Sequence, residues 1–308
     1  MAEAIPVIVN ANAGLHADAG RVDKITAAFA AAGAEVRIIL CQAADLKANI
    51  AKEAGTGSIV VAAGGDGTVS TVAAIVAGTG GTLGVLPMGT LNHFAKDLGV
   101  PLELEAAVAC ILAGHTIEVD LAEVNGHTFI NNSSIGLYPK IVRIREAKRK
   151  REHMGKWRAL YHATVAVLRR HSRMRLRLEL DDKVEDRRAP IVIIGNNAYN
   201  AEGFAAGRRE RLDKGVLSIY VTQRKGPWAL IGLGMRALAG RLDNAEGFEA
   251  LTAHKLRIET GRRRIPVATD GEVQVMETPL EYRIRPRALR VIAPAPQRNP
   301  PPEEATAT

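Results

Sequence analysis

Three glycines and one aspartate stand where an apolar run ends and a helical pattern begins. Residues 58–63 are of strand type, Gly64, Gly65, Asp66, Gly67 and Thr68 follow, and apolar residues then recur at helical spacing. Glycine lets a backbone approach an anion, and the first amides of a helix point outward with the positive end of its dipole behind them. This order predicts a phosphate-binding turn. Because a carboxylate would repel the phosphate, Asp66 indicates a divalent cation, or a proton to be accepted, beside it.

Two more turns rich in glycine or asparagine follow short apolar runs. One extends from Asn10 to Gly14, and the other contains Gly89, Thr90 and Asn92. Parallel strands end at the same edge of a sheet, so we expect the three turns to form one composite phosphate pocket. The chain contains no GxxxxGK[ST] motif, and no GxGxxG directly follows a strand, which argues against a Walker site or a dinucleotide fingerprint.

The elements that would position these turns alternate in the first 124 residues. Strands and helices in alternation predict a Rossmann-like parallel sheet and an α/β nucleotide-binding domain over residues 1–124. The predicted strands are 5–9, 35–40, 59–63 and 83–86, and the predicted helices are 22–32, 44–54, 69–77, 91–98 and 103–113.

After about residue 116 the apolar period changes to two, and Asn125-Gly126 is a hairpin signature. This predicts a β-rich, antiparallel second domain over residues 125–293, with a sandwich as the expected architecture. Helical patterns interrupt it at 141–170 and 227–239, and residues 294–308 have the composition of a disordered tail. The predicted strands are 116–124, 129–132, 175–180, 191–195, 216–221, 255–259, 273–276, 280–284 and 288–292.

Composition limits the classes of molecule that this chain is expected to bind. The 308 residues carry a formal charge of +8, which favours an anionic partner, while 4% aromatic residues are few for stacking single-stranded nucleic acid. No apolar stretch reaches the roughly 18 residues that span a bilayer, and the N-terminus lacks the pattern of a secretion signal. Cys41 and Cys110 have no CxxC spacing and are expected to be reduced, consistent with a cytoplasmic protein.

The motifs resemble those of the diacylglycerol kinase catalytic-domain family, which includes bacterial lipid kinases and sphingosine kinases. The resemblance rests on GGDGT at 64–68, LPMGTLNHFA at 86–95 and Asp270-Gly271-Glu272, in this order over nearly the whole chain. GGDGT alone is less specific, since NAD kinases also carry it. The segment at 89–95 narrows the choice to lipid kinases.

The resemblance implies ATP in a cleft between the two domains, and transfer of its γ-phosphoryl group to a lipid hydroxyl with Mg²⁺. It implies that Glu272 is the general base with Asp270 nearby, and that Asp66 organises magnesium or activates the hydroxyl. Glu272 is favoured over Asp66 as the base, which only has to accept a proton late in the transfer. The implied nucleotide-binding residues are Asn10, Gly14, Gly64, Gly65, Gly67, Thr68, Gly89, Thr90 and Asn92.

Structural roles remain open for several of these residues. Asp270-Gly271 is also a common hairpin pair, and Thr90 and Asn92 could simply cap a helix. Asp120 fits either the family's active-site network or an exposed strand position.

Four departures from the family pattern stand out. The first loop lacks its usual hydroxyl, Cys41 replaces a threonine, and His93 replaces an aspartate and is expected on a helix surface. The family's second magnesium site lies in a D-G-x-L segment, where this chain has Lys214 before the glycine and only Asp213 as a nearby carboxylate.

Residues 140–158 contain nine Lys or Arg against two Glu and lead into an amphipathic helical pattern. This favours peripheral contact with an anionic membrane surface over nucleic-acid binding, and a solvated charge run is the alternative. The leading hypothesis is an ATP-dependent lipid kinase of phospholipid metabolism, acting on diacylglycerol or a related lipid alcohol. The alternatives are an NAD kinase-like phosphotransferase and a non-catalytic nucleotide or lipid sensor. A homodimer is compatible with the sequence.

Overall fold

The computed structural model describes residues 4–10, 15–42, 45–139, 174–199, 209, 211–222 and 248–296. Several predictions fall outside the described residues. They concern Gly14, the basic segment 140–158, the helical patterns at 141–170 and 227–239, and residues 297–308 of the tail.

Strands and helices alternate in the first half of the chain. The four strands are parallel, in the order β2-β1-β3-β4. The central strand β3 is buried on both faces, as its unbroken apolar sequence requires. The predicted Rossmann-like arrangement is confirmed. Its elements are β1 (Ile5–Asn10), α1 (Leu15–Ala31), β2 (Val36–Cys41), α2 (Leu46–Glu53), β3 (Ile59–Gly64), α3 (Asp66–Thr79), β4 (Thr82–Pro87), α4 (His93–Asp97) and α5 (Leu104–Ala113).

The described part of the second half consists mainly of β-strands. Six of them form a second, antiparallel sheet in the order β12-β11-β10-β7-β14-β15. The strands are β5 (Thr116–Val124), β6 (His127–Phe129), β7 (Asn132–Gly136), β8 (Met174–Leu180), β9 (Lys183–Ala189), β10 (Ile191–Asn196), β11 (Leu217–Thr222), β12 (Phe248–Ala253), β13 (Lys255–Thr260), β14 (Arg264–Thr269), β15 (Glu272–Glu277) and β16 (Leu280–Ile292).

The long strand β16 joins the two halves. It is parallel to β4 near Arg290 and antiparallel to β5 and β13, so the first sheet continues into the second half as β16-β13-β8-β9. This continuation packs on the six-stranded sheet and forms the expected sandwich. β5 and β16 supply residues to both cores: Leu289 lies in the first, and Tyr282 in the second. The domain boundaries at 124 and 293 stay a prediction.

Three helices differ most clearly from their predicted bounds. α1 begins at Leu15, seven residues before the predicted start at residue 22, because residues 15–21 are helical without the apolar spacing on which the prediction relied. α3 begins at Asp66, three residues before its apolar pattern, because extended Gly65 is its N-cap and an acidic residue is favourable in the first turn. α4 has five residues only, and Leu91 lies outside it with 57% of its side chain exposed. The GGDGT motif therefore forms the first turn of a helix as well as the preceding loop.

Three strands were not predicted: β9, β12 and β14. The predicted strand 129–132 shares only Phe129 with β6 and only Asn132 with β7, so most of β7 was missed as well. β9 is an edge strand with five charged residues among seven, a composition that hides a strand from pattern analysis. β14 contains Pro266, and its pairing with β7 begins only at Val267. The predicted strands 280–284 and 288–292 are one strand, irregular between Arg285 and Leu289.

Candidate active site

The carboxyl ends of β1, β3 and β4 lie at one edge of the parallel strands, and the turns that follow β3 and β4 meet there, as predicted. Residues 11–14, the predicted turn after β1, lie outside the described residues. Asn10, Gly64 and Pro87 are the last residues of these strands, β1 pairs with β3, and Gly64 lies opposite Pro87. The amide of Met88 donates to the carbonyl of Gly64 at 3.0 Å. Two segments from different parts of the chain thus form one surface at the N-terminus of α3.

The two glycine turns touch through their backbones. A Cβ added at Gly89 would lie 2.5 Å from the Cα of Gly65, so only glycine allows this approach. Asn92 holds the second turn: its Oδ1 accepts from the amide of Gly89 at 2.9 Å, and its Nδ2 donates to the carbonyl of Gly89 at 3.0 Å. Asn92 is the N-cap of α4 but makes no side-chain capping bond. The capping interpretation of its side chain is therefore wrong.

Asp66 lies in the first turn of α3, where it faces the next loop. Its Oδ1 accepts from the amide of Phe94 at 3.3 Å, which links α3 to α4. Thr68 is buried and packs against Gly64, where an added Cβ would come within 2.8 Å of the threonine side chain. Thr90, by contrast, is exposed.

Asp270 and Gly271 are the two turn residues of the β14–β15 hairpin, both with positive φ. The hairpin interpretation is correct, but it does not account for the Asp270 side chain. Its carboxylate accepts from the amides of residues 130, 131 and 132 at 2.8 to 3.1 Å, and lies 2.5 Å from the hydroxyl of Ser70 on α3. Burial raises the pKa of the Asp270 carboxyl above its ordinary value, and these donors oppose that effect.

Glu272 opens β15 beside this turn, and its carboxylate faces the helix. Oε1 lies 3.6 Å from the position that a Cβ on Gly67 would take. Glu272 is exposed and makes no hydrogen bond to the described residues. Gly67 and Glu272 both line a cavity of about 430 Å³, whose other walls are α3 as far as Ile75, the two hairpin turns at 126–128 and 269–274, and Lys47 of α2. A carboxylate with no hydrogen bond to the described residues therefore stands opposite a glycine turn at a helix N-terminus.

The arrangement fits a nucleotide and its metal ion. Oδ1 of Asn10 is buried at the carboxyl edge and has no partner among the described residues. The described residues contain no cluster of three or more His, Cys, Asp or Glu side chains that could hold a metal ion. Magnesium at Asp66 would therefore take its other ligands from phosphate oxygens and water, which is its usual mode of binding.

Family models match both halves of the chain. Residues 4–124 match the diacylglycerol kinase catalytic domain, and residues 141–293 match the YegS C-terminal NAD kinase beta sandwich-like domain. A Pseudomonas aeruginosa relative, "Probable lipid kinase YegS-like", is 30% identical over 91% of this chain and 93% of its own length. The chain belongs to the diacylglycerol kinase catalytic-domain family.

Other relatives of this lipid kinase family member match over shorter regions. An uncharacterised Synechocystis protein is 29% identical over 77% of this chain but only 55% of its own length. "Probable lipid kinase YegS" of Escherichia fergusonii is 42% identical over 27% of this chain and 29% of its own length. The chain thus spans only part of these two relatives. A crystal structure of a candidate diacylglycerol kinase from Bacillus anthracis is 25% identical, has a TM-score of 0.73, and covers 95% of this chain and 97% of its own.

The loop that corresponds to the expected magnesium site of the second domain contains an ion pair. Arg211 binds both carboxylate oxygens of Asp213, at 2.9 and 2.8 Å, and this bond lowers the pKa of the Asp213 carboxyl. A cation at Asp213 would have to displace this guanidinium from both carboxylate oxygens. The expected lack of a magnesium ion in this loop stays a prediction.

Asp120 ties the same loop to the rest of the fold. Its carboxylate, 1% exposed, accepts from the amides of Gly215 at 2.6 Å and Arg287 at 2.8 Å. The interpretation of Asp120 as an exposed strand residue is wrong, because the irregular part of β16 and the loop before β11 cover it.

His93, which was expected on a helix surface, is half-buried, and its Nδ1 has no partner among the described residues.

The sequence did not point to three residues that contact this region. Ser70 lies one turn after Asp66 on α3, so helical spacing could have indicated it. Asp97 and Arg209 form an ion pair between the two halves of the chain, 112 residues apart, and no pattern connects them.

Proposed function

We propose that this kinase transfers the γ-phosphoryl group of ATP to a hydroxyl of diacylglycerol or a related lipid alcohol. The observation that carries the proposal is the position of Glu272. Its carboxylate makes no hydrogen bond to the described residues and lies beside Gly67 at the wall of the cavity. In this proposal the acceptor hydroxyl meets the phosphates at that point. The family supports a lipid acceptor, since its named relatives are lipid kinases.

Each part of the site has a distinct task in this proposal. The first-turn amides of α3 and the turn around Gly89 bind and orient the phosphates. Glu272 accepts the hydroxyl proton as the alcohol oxygen bonds to the γ-phosphorus and the bond to the β-phosphate oxygen breaks, leaving ADP. Asp66 would hold Mg²⁺, which would supply positive charge to the phosphate oxygens. Asp270 positions Glu272, because its carboxylate anchors the turn from which Glu272 extends.

A labelling assay tests this function. The full chain is incubated with Mg²⁺, γ-labelled ATP and mixed micelles that contain diacylglycerol, ceramide, sphingosine or monoacylglycerol, and with NAD in a separate reaction. We expect a labelled phospholipid, and a loss of about 10²–10⁴-fold in kcat for Glu272→Gln with ATP still bound. Glu277→Gln on the same strand is the matched control and should remain active.

Three results would overturn the proposal. Labelled NADP would favour the NAD kinase-like alternative, and ATP binding with no labelled acceptor would favour a nucleotide sensor. Full activity of the Glu272→Gln variant would exclude Glu272 as the base.

We also propose peripheral contact with anionic membrane at the cytoplasmic face, because a bilayer holds the acceptor. The basic segment 140–158 is the basis of this proposal, and among the described helices none is long and apolar enough to cross a membrane. Cosedimentation with phosphatidylserine vesicles, weakened by salt and absent with phosphatidylcholine, is the expected result. Equal binding to both would contradict it. Self-association stays a prediction.

A further inference from the structure

A buried ion pair joins the two halves of the chain next to the candidate active site. Nε of Arg209 donates to Oδ2 of Asp97 at 2.8 Å, and the amide of Arg209 donates to Oδ1 at 2.9 Å. Their side chains are 0% and 1% exposed. Asp97 is the last residue of α4, the helix that follows the glycine turn at Gly89.

The other guanidinium nitrogens of Arg209 bind the second half of the chain. Nη1 donates to the carbonyls of Ile130 at 2.6 Å and Asn196 at 2.9 Å, and Nη2 donates to Oδ1 of Asn131 at 3.1 Å. One side chain thus contacts three segments that are distant in sequence. A planar fork of donors makes this geometry specific to arginine, because a lysine ammonium cannot reproduce it.

The pair completes a closed ring of contacts that includes Ser70 and Asp270, two of the residues that line the cavity. Ile130 and Asn131 accept hydrogen bonds from Arg209, and the amides of residues 130–132 donate to Asp270. Asp270 reaches Ser70 of α3, and Asp66 of α3 accepts from the amide of Phe94, one turn before Asp97 on α4. The ring therefore passes through both turns that hold the carboxylates of the proposed reaction.

We infer that Arg209 and Asp97 are positioning residues that set the distance between the nucleotide turns and the turn that presents Glu272. The inference rests on the proposed function for its catalytic meaning. Desolvation makes a buried ion pair a poor source of stability compared with apolar packing, so fixing a unique geometry is the better account of this one. Misplacement of reacting groups by about 1 Å can cost on the order of 100-fold in rate.

Arg209→Lys tests the inference because it keeps the charge and removes the fork. We expect kcat for lipid phosphorylation to fall about 100-fold while the KM for ATP changes little. Hydrogen exchange should accelerate at the amides of residues 130–132 and also at Phe94, on the opposite side of the ion pair. Arg211→Lys, at an exposed guanidinium two residues away, is the matched control and should change neither.

Two results would overturn the inference. One is a lowered melting temperature with unchanged kcat well below that temperature. The other is faster exchange confined to the second half, with Phe94 as protected as before. If Arg209→Lys does not fold, Asn131→Ala removes one contact of the guanidinium and is judged by the same two measurements. If the unsubstituted protein phosphorylates no lipid, the proposed function fails. Hydrogen exchange at Phe94 still tests whether the ring of contacts couples the two halves of the chain.

Discussion

Aspartates in this chain differ in what their surroundings allow them to do. Asp120 and Asp270 accept hydrogen bonds from backbone amides in buried positions, whereas Asp213 pairs with an arginine at the surface. Asp66 accepts one long hydrogen bond through Oδ1, and its other oxygen makes no hydrogen bond to the described residues. At the scale of single residues, the partners of a carboxylate distinguish structural roles from catalytic ones.

Asp120→Asn should lower the free energy of unfolding by about 1–3 kcal/mol. An amide NH₂ would replace one acceptor and leave the amide of Gly215 or Arg287 unpaired in a buried site. Urea unfolding at neutral pH measures this. Mg²⁺ or EDTA should not move the midpoint, because the Asp120 contacts tie the loop without a cation.

Asp213→Asn is the matched control for that substitution. Its surface pair with Arg211 is worth less than about 1 kcal/mol. Because Arg211 lowers the pKa of Asp213 in the folded state, the pair stabilises above the unfolded-state pKa, and this contribution is lost as the pH falls through the folded-state pKa. A midpoint that rises with Mg²⁺ in the unsubstituted protein but not in the Asp213→Asn variant would instead show a cation in this loop.

At the scale of elements, α3 connects the two parts of the site. Its first turn lies beside the glycine turn at residues 89–92, and the same helix meets the β14–β15 hairpin through Ser70 and Gly67. Close contact between the turns at Gly65 and Gly89 places α4 beside α3. The site is therefore sensitive to small changes in backbone spacing.

Gly89→Ala should separate these two turns. Its Cβ would lie 2.5 Å from the Cα of Gly65 and 2.8 Å from Oδ1 of Asn92, contacts that only a backbone shift can relieve. We expect a loss of about 1–3 kcal/mol in stability and nucleotide binding at least about tenfold weaker, measured by calorimetry.

Gly20→Ala in α1 is the comparison for Gly89→Ala. Nothing lies within 4 Å of its added Cβ, so the helix should gain up to about 1 kcal/mol and nucleotide binding should not change. Normal nucleotide affinity in the Gly89→Ala variant would contradict the role of this close contact.

At the scale of the whole molecule, β5 and β16 make the two halves one structure. Both strands contribute side chains to both hydrophobic cores, and β16 extends the parallel sheet into the sandwich. A cleft between two cores that share strands can keep a fixed width. This suits a reaction that depends mainly on alignment.

We therefore expect one cooperative unfolding transition. Leu289→Ala, at a fully buried position of the first core, should cost about 2–5 kcal/mol and lower the melting temperature of both halves together. Scanning calorimetry and hydrogen exchange of both sheets measure this. Val184→Ala, 56% exposed on the edge strand β9, is the control with little effect. Two transitions, only one of them shifted, would show independent domains.

Local features of the sequence determined much of this protein. The parallel strands and the turn at residues 64–68 follow from apolar periods and glycine conformations, which depend on neighbouring residues alone. The Asp270-Gly271 hairpin follows from the same preferences. The resemblance of its motifs to known ones identified the family. Charged β9 was missed because an edge strand need not show an apolar pattern.

Only the tertiary structure determined which residues from distant parts of the sequence contact one another. Asp120 becomes buried because distant segments cover it, and Arg209 meets Asp97 across 112 residues. The sharing of β16 by both cores likewise depends on pairing between strands far apart in sequence. Long-range contacts are fixed by packing and hydrogen bonding of the whole chain, so no local pattern carries them.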